Sequence, residues 1–152
     1  MNLIEKKLDA VMRCLTADNS ADREQASKEI RDLQACIAPP GDRIEFDVRR
    51  ILLDIGVPEH IKGYRYLVRA ICLAAQKPEL LGAITKGLYP RVADAFGTTK
   101  DGAERGIRHA IELAWDRCDL DTLKHYFGNT VSPTKGKPTN GEFIARISNV
   151  VR

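Results

Sequence analysis

Apolar residues recur along this chain at spacings of three and four and almost nowhere in alternation, so the pattern predicts helices throughout. Ile4, Leu8, Val11 and Leu15 form a first stripe, and Ala26, Ile30, Leu33 and Ile37 a second. Between them TADNS (16–20) is a polar break rich in capping residues, and Asp22 and Glu24 occupy a first turn where the helix dipole favours acids. The two stripes predict a helical hairpin over 1–38. Each stripe is about three turns long, too short to hold an isolated hairpin, so it should bury against its own main domain, a second copy or another protein. Pro39 and Pro40 cannot continue a helix, and 39–43 reads as a linker.

The main domain, 44–152, carries about six further helical segments. Ile44, Val48, Ile51, Leu52 and Ile55 give the first, stopped by Gly56 and Pro58. Leu67, Val68, Ile71 and Leu73 to Ala75 fill the second, which ends before Pro78. Shorter pieces at 79–84 and 89–96 surround Gly87 and Pro90. A long helix over 100–117, a short one over 120–127, a polar loop and a last helix over 140–151 complete an all-α chain.

The stretch 80–115 organises the rest. It reads as two helices joined by a tight turn at Gly97-Thr98-Thr99. At 100° per residue, Ala103, Ile107, Ala110, Ile111 and Ala114 fall within an arc of roughly 100° that must pack inward. The opposite arc holds Asp101, Glu104, Arg105, Arg108, His109 and Glu112 and must face something polar. Such a pair of helices is the helix-turn-helix pattern of major-groove readers. An ordinary surface helix laced with Glu104–Arg108 and Arg108–Glu112 pairs would show the same charges. Tyr89, Phe96, Ile107 and Ile111 read as core, and Trp115 as packing against the last helix.

Charge sharpens this picture modestly. The net charge is +3, but residues 1–42 carry six Lys/Arg against eight Asp/Glu, while 43–152 carry eighteen against thirteen. The basic excess therefore lies with the main domain. Cys14, Cys36, Cys72 and Cys118 have no zinc-type spacing and read as reduced cytosolic thiols. No apolar run approaches the ~18 residues of a membrane span, and no secretory segment opens the chain, which predicts a cytoplasmic protein. No nucleophile–base pair, phosphate-binding glycine loop or metal set stands out, so neither an enzyme nor a cofactor is expected.

Four blocks, IGVPEHIKGYRYLVRAI (55–71), LLGAITKGLYPRVADAF (80–96), ERGIRHAIELAWDR (104–117) and FGNTVSPTKGKPTNGEFIA (127–145), resemble one family in order. It is the DNA-binding effector domain of the stage-zero sporulation response regulator, the master sporulation transcription factor of spore-forming bacteria. The resemblance implies a sequence-specific regulator of double-stranded DNA, expected in the cytoplasm on the nucleoid. One helix makes few base contacts, so a homodimer is expected. The resemblance also implies tandem boxes of the TGTCGAA type as targets. The family's receiver domain, which needs alternating strands and helices, has no counterpart in the hairpin.

Arg105 and Arg108 have the planar fork that suits guanine O6 and N7. Glu104 can accept from cytosine N4 or simply hold Arg108, and His109 can donate to a base or a phosphate. The resemblance assigns base or phosphate contacts to these same four residues. The loop NTVSPTKGKPTN (129–140) combines hydroxyls, Lys135, Lys137 and an ensuing helix N-terminus, which suits phosphate oxygens through Ser132 and Thr134 as well. Thr98 and Thr99, expected caps of the long helix, and the weaker candidates Lys86 and Lys62 complete the phosphate set. Thr122 and Phe127 align with the family's surface for the RNA polymerase sigma subunit, although Phe127 also suits the core.

The chain departs from the family at Asp101-Gly102-Ala103, where Ser-Arg-Val is common, and at Gly106, a poor helix former. Losing a cation there should weaken binding and flatten its salt dependence. The rival expectation is therefore a receiver-less adaptor or decoy that acts through the hairpin and binds DNA weakly.

Overall fold

The computed structural model describes residues 3–37, 40–128 and 136–152, with side chains over 5–32, 41–128 and 136–152. It is all-α, with no β-strand among the described residues. The chain divides into two compact units, Met1–Arg43 and Ile44–Arg152.

In the first unit α1 (Leu3–Thr16) and α2 (Ser20–Ile37) pack as a hairpin. Asn19 caps α2 reciprocally: its Oδ1 accepts from the Asp22 N–H at 2.8 Å, and its amide donates to the Asp22 carboxylate at 2.7 Å. The helices meet through small residues. Ala10 and Ala26 are buried, Cys14 Sγ lies 3.6 Å from Ser27 Oγ, and Arg13 bridges to Glu29 at 2.9 Å. Leu8 and Leu15 of the expected stripe stay 60% and 74% exposed, and Met12 joins them at 57%. They lie about 140–160° around α1 from Ala10, a rotation that follows from the 100° step. Small side chains bring two backbones close, so they, rather than the leucines, form the hairpin seam.

Residues 40–43, expected in a linker, instead form the first turn of α3 (Pro40–Ile55). A proline at the first helical position forfeits no hydrogen bond, and its fixed φ suits the turn. Val48, Ile51, Leu52 and Ile55 of α3 enter the core of the second unit.

The centre of that unit is α4 (Lys62–Gln76), buried from Gly63 to Ala75 except at Arg65 and Arg69. A helix apolar on nearly every side must be surrounded, and α5 (Tyr89–Phe96), α6 (Lys100–Arg117) and α8 (Asn140–Val151) all pack on it. A 3₁₀ turn, Pro78–Gly82, and a π turn, Ile84–Leu88, connect α4 to α5, and α7 (Leu120–Phe127) precedes α8. Phe143, Ile144 and Ile147 of α8 are fully buried.

Trp115 reaches the last helix indirectly. Its ring meets Phe127 of α7 edge-on, with centroids 5.3 Å apart, and Phe127 in turn lies 5.2 Å from Phe143 of α8. Phe127 is thus core, at 5% exposure, rather than part of a protein-binding surface. Tyr126 of α7 donates to Asp54 of α3 at 2.6 Å, and burial with this carboxylate pushes its hydroxyl up to about 12.

Cys14, Cys72 and Cys118 are free, and burial pushes the Cys72 thiol up to about 11. The Cys36 side chain lies outside the described set. Among the described residues no helix is long and apolar enough to cross a membrane, and no group of three or more His, Cys, Asp or Glu is placed to hold a metal.

Candidate DNA interface

The two-helix unit is built by local chemistry. Gly97 ends α5 in the left-handed region, at φ 64° and ψ 34°, and its N–H returns to the Ala93 carbonyl. Thr98 N–H bonds the same carbonyl at 3.0 Å. Thr99 is extended, and its Oγ1 accepts from the Gly102 N–H at 3.0 Å, which starts α6. Glycine supplies the reversal and threonine the cap, so three residues suffice to turn the chain.

All five residues of the inward arc, Ala103, Ile107, Ala110, Ile111 and Ala114, are buried. Outward, Asp101, Arg105, Arg108 and His109 are exposed, while Glu104 and Glu112 are half-buried. Glu104 and Arg108 form an ion pair one turn apart. Arg105 Nε donates to the Asp101 carbonyl at 3.4 Å, so this guanidinium leans toward the start of α6.

Gly106, whose presence looked unfavourable for a helix, faces Gly63 of α4. A Cβ on Gly63 would overlap the Gly106 carbonyl oxygen and lie 2.7 Å from its carbon. One on Gly106 would lie 2.8 Å from the Tyr66 ring. The two glycines let α4 and α6 cross at backbone distance, and this crossing sets how α6 projects.

Beside α6 the start of α8 closes a cleft of about 340 Å³ lined by Tyr89, Glu104, Arg108, Lys137, Thr139 and Asn140, among others. Thr139 caps α8, accepting from the Glu142 N–H at 3.2 Å. The Asn140 amide donates to the Tyr89 hydroxyl at 3.0 Å and to the Glu104 carbonyl at 3.1 Å. Burial pushes the Tyr89 hydroxyl above its ordinary range, and the Asn140 bond opposes the shift. Lys137 lies 3.3 Å from Asp116 near the far end of α6, and the two form an ion pair.

The structure therefore brings Glu104, Arg105, Arg108 and His109 together on one face, with Thr98 and Thr99 at its leading end and Lys137 across the cleft. Lys86 is exposed on the π turn and Lys62 at the start of α4. Ser132, Thr134 and Lys135 lie outside the described residues. Sequence reasoning missed Asn140, Asp116 and Gly63, whose partners are 21 to 51 positions away and leave no local signal.

A three-residue turn, a capped outward helix and its arginines define a helix-turn-helix effector domain of the DNA-binding class. Residues 48–151 match the family described as sporulation initiation factor Spo0A, C terminal, and the chain belongs to that family. It is thus a DNA-binding domain of a sporulation transcription regulator, in a family that is not enzymatic. The receiver domain of such regulators is absent from these 152 residues.

Proposed function

We propose that this protein reads double-stranded DNA through the major groove with α6, at tandem boxes of the TGTCGAA type. Arg105 and Arg108 serve as guanine readers, Glu104 and His109 as base or phosphate contacts, and Thr98, Thr99, Lys86, Ser132, Thr134, Lys135 and Lys137 as phosphate contacts. The observation that carries this reading is the outward face of α6, where Arg105, Arg108 and His109 stand exposed on a helix seated by five buried apolar residues.

Two copies per site follow from the few base contacts one helix can make, and the exposed stripe of Leu8, Met12 and Leu15 supports the hairpin as the homodimer seam. The surface of α7 that carries Asp121 and Lys124 suits a sigma-subunit contact, with the protein acting in the cytoplasm on the nucleoid.

Fluorescence anisotropy tests this on a two-box duplex and its scrambled version, at two salt concentrations. A penalty of at least ~3 kcal/mol for scrambling is expected, and equal weak binding to both would sink the box assignment. Arg105→Ala should cost about 1–3 kcal/mol on the boxes and relax one base position. Lys135→Ala should weaken both duplexes alike and lower the salt slope by about one. Equal losses for both variants on both duplexes would refute the division into readers and phosphate contacts.

Asp116→Asn is expected to act in the opposite direction. It frees Lys137 and removes an anion from the end of α6, so both duplexes should bind about three-fold more tightly at low salt. Unchanged affinity at low salt would show that Lys137 does not reach a phosphate.

A further inference from the structure

The DNA-facing surface is assembled from three elements far apart in sequence: the start of α5, the first turns of α6 and the start of α8. The core holds their buried sides, but only one described side chain is bonded to all three near the surface. Asn140 has two amide hydrogens, and each has a partner: Tyr89 at the first position of α5 and the carbonyl of Glu104 in α6. Its own backbone is fixed as the first residue of α8, behind the Thr139 cap.

The two acceptors are well placed for such a role. Tyr89 is 6% exposed, so its ring cannot swing to follow a moving partner. The Glu104 carbonyl belongs to the turn that carries Glu104, Arg105 and Arg108, and the Glu104 side chain is itself paired with Arg108. A shift of α8 relative to α6 must therefore break a bond to the turn that faces DNA.

We propose that Asn140 is a positioning residue for DNA specificity: its amide locks α5, α6 and the start of α8 into one register, so that base-reading and phosphate-holding groups meet the duplex together. This rests on the proposal that α6 reads bases. A recognition surface works only when its groups are held within about 0.5 Å of the productive geometry. Phosphate attraction is long-ranged and tolerates looseness, whereas base-edge bonds do not. Losing the lock should therefore reduce the preference for the correct sequence rather than affinity for DNA in general.

The test is anisotropy of the full chain and of Asn140→Ala on the two-box and scrambled duplexes, with thermal melting in parallel. Expected is a loss of about ten-fold on the boxes with less than about two-fold on the scrambled duplex and an unchanged salt slope. A merely structural role would lower both affinities together with the folded fraction, and that result, or an unchanged ratio between duplexes, overturns the proposal.

Tyr89→Phe keeps the buried ring and removes one bond. It should lower the ratio by about three-fold and add nothing when combined with Asn140→Ala. Should Asn140→Ala fail to fold, this variant decides alone, an unchanged ratio counting against the lock. If the unaltered protein shows no preference between duplexes, the box reading fails separately. Amide hydrogen exchange without DNA then decides: faster exchange over residues 104–108 in Asn140→Ala supports the lock, and a change confined to α8 overturns it.

Discussion

Gly63→Ala is expected to destabilise the domain by about 3 kcal/mol, at the upper end of overpacking costs. The added methyl would overlap the Gly106 carbonyl oxygen and lie 2.7 Å from its carbon and 3.1 Å from the Ala110 Cβ. Backbone atoms cannot rotate aside as a side-chain end does. Relief requires α4 and α6 to separate along a seam that holds Ile107 and Ala110, and packed interiors do not stretch in small steps. Thermal melting should fall by about 10 °C or more. Gly82→Ala is the control, since a Cβ there meets nothing within 4 Å, and it should stay within about 0.5 kcal/mol. Equal melting temperatures for the two variants would mean that the close crossing does not hold α6 in place. The expected DNA phenotype follows from the same displacement, because α6 would no longer project at its native angle.

Phe143→Ala is expected to cost about 3–5 kcal/mol, the usual range for truncating a buried aromatic. Phe143 is fully buried, and its ring lies 5.2 Å from Phe127, which links it to Trp115. The cavity would open beside Phe127 of α7. Trp115 is the only tryptophan in the chain and so reports on that row of rings. Its emission should shift to longer wavelength in the variant before global unfolding, with the denaturant midpoint moved down. A loss below about 1.5 kcal/mol, with unchanged emission, would refute the ring row as the link that holds α8.

Both variants test the support of the proposed DNA face rather than the face itself. The orientation of α6 comes from α4 beneath it, and the cleft wall comes from α8, anchored by Phe143. On the proposed reading, Arg105 and Arg108 meet base edges only while these supports hold, so core substitutions here should read out in binding as well as in stability.

Some of this was legible in the sequence because the signal is local. The five inward residues of α6 repeat at helical spacing within twelve positions, so their burial follows from the 100° step alone. The Gly97 reversal and the Thr99 cap are likewise chemistry of adjacent residues. The bounds of α6, α7 and α8 followed from caps and breakers in the same way. The hairpin was legible as two helices but not in its seam. On α1 apolar spacing pointed to Leu8 and Leu15, whereas close packing selected Ala10; on α2 the expected Ala26 is buried.

Pro40 shows a related limit. Two prolines in sequence announce that a helix has ended, yet the second opens the next helix, since a first-turn proline has no N–H to lose. Gly106 was the sharper failure. Read alone it is a helix defect, and only the Tyr66 ring of α4 across from it explains why a larger residue has no room.

The sequence by itself determined the helices, the inward face of α6, the turn of the two-helix unit and the polar residues that face outward, because each depends on groups within a few positions of one another. Only the tertiary structure decided the Gly63–Gly106 crossing, the Asn140 bonds to Tyr89 and Glu104, and the pairing of Lys137 with Asp116. These join residues 21 to 51 positions apart, at distances fixed by how whole helices pack. Periodicity along one helix carries no information about which residue of another will lie against it.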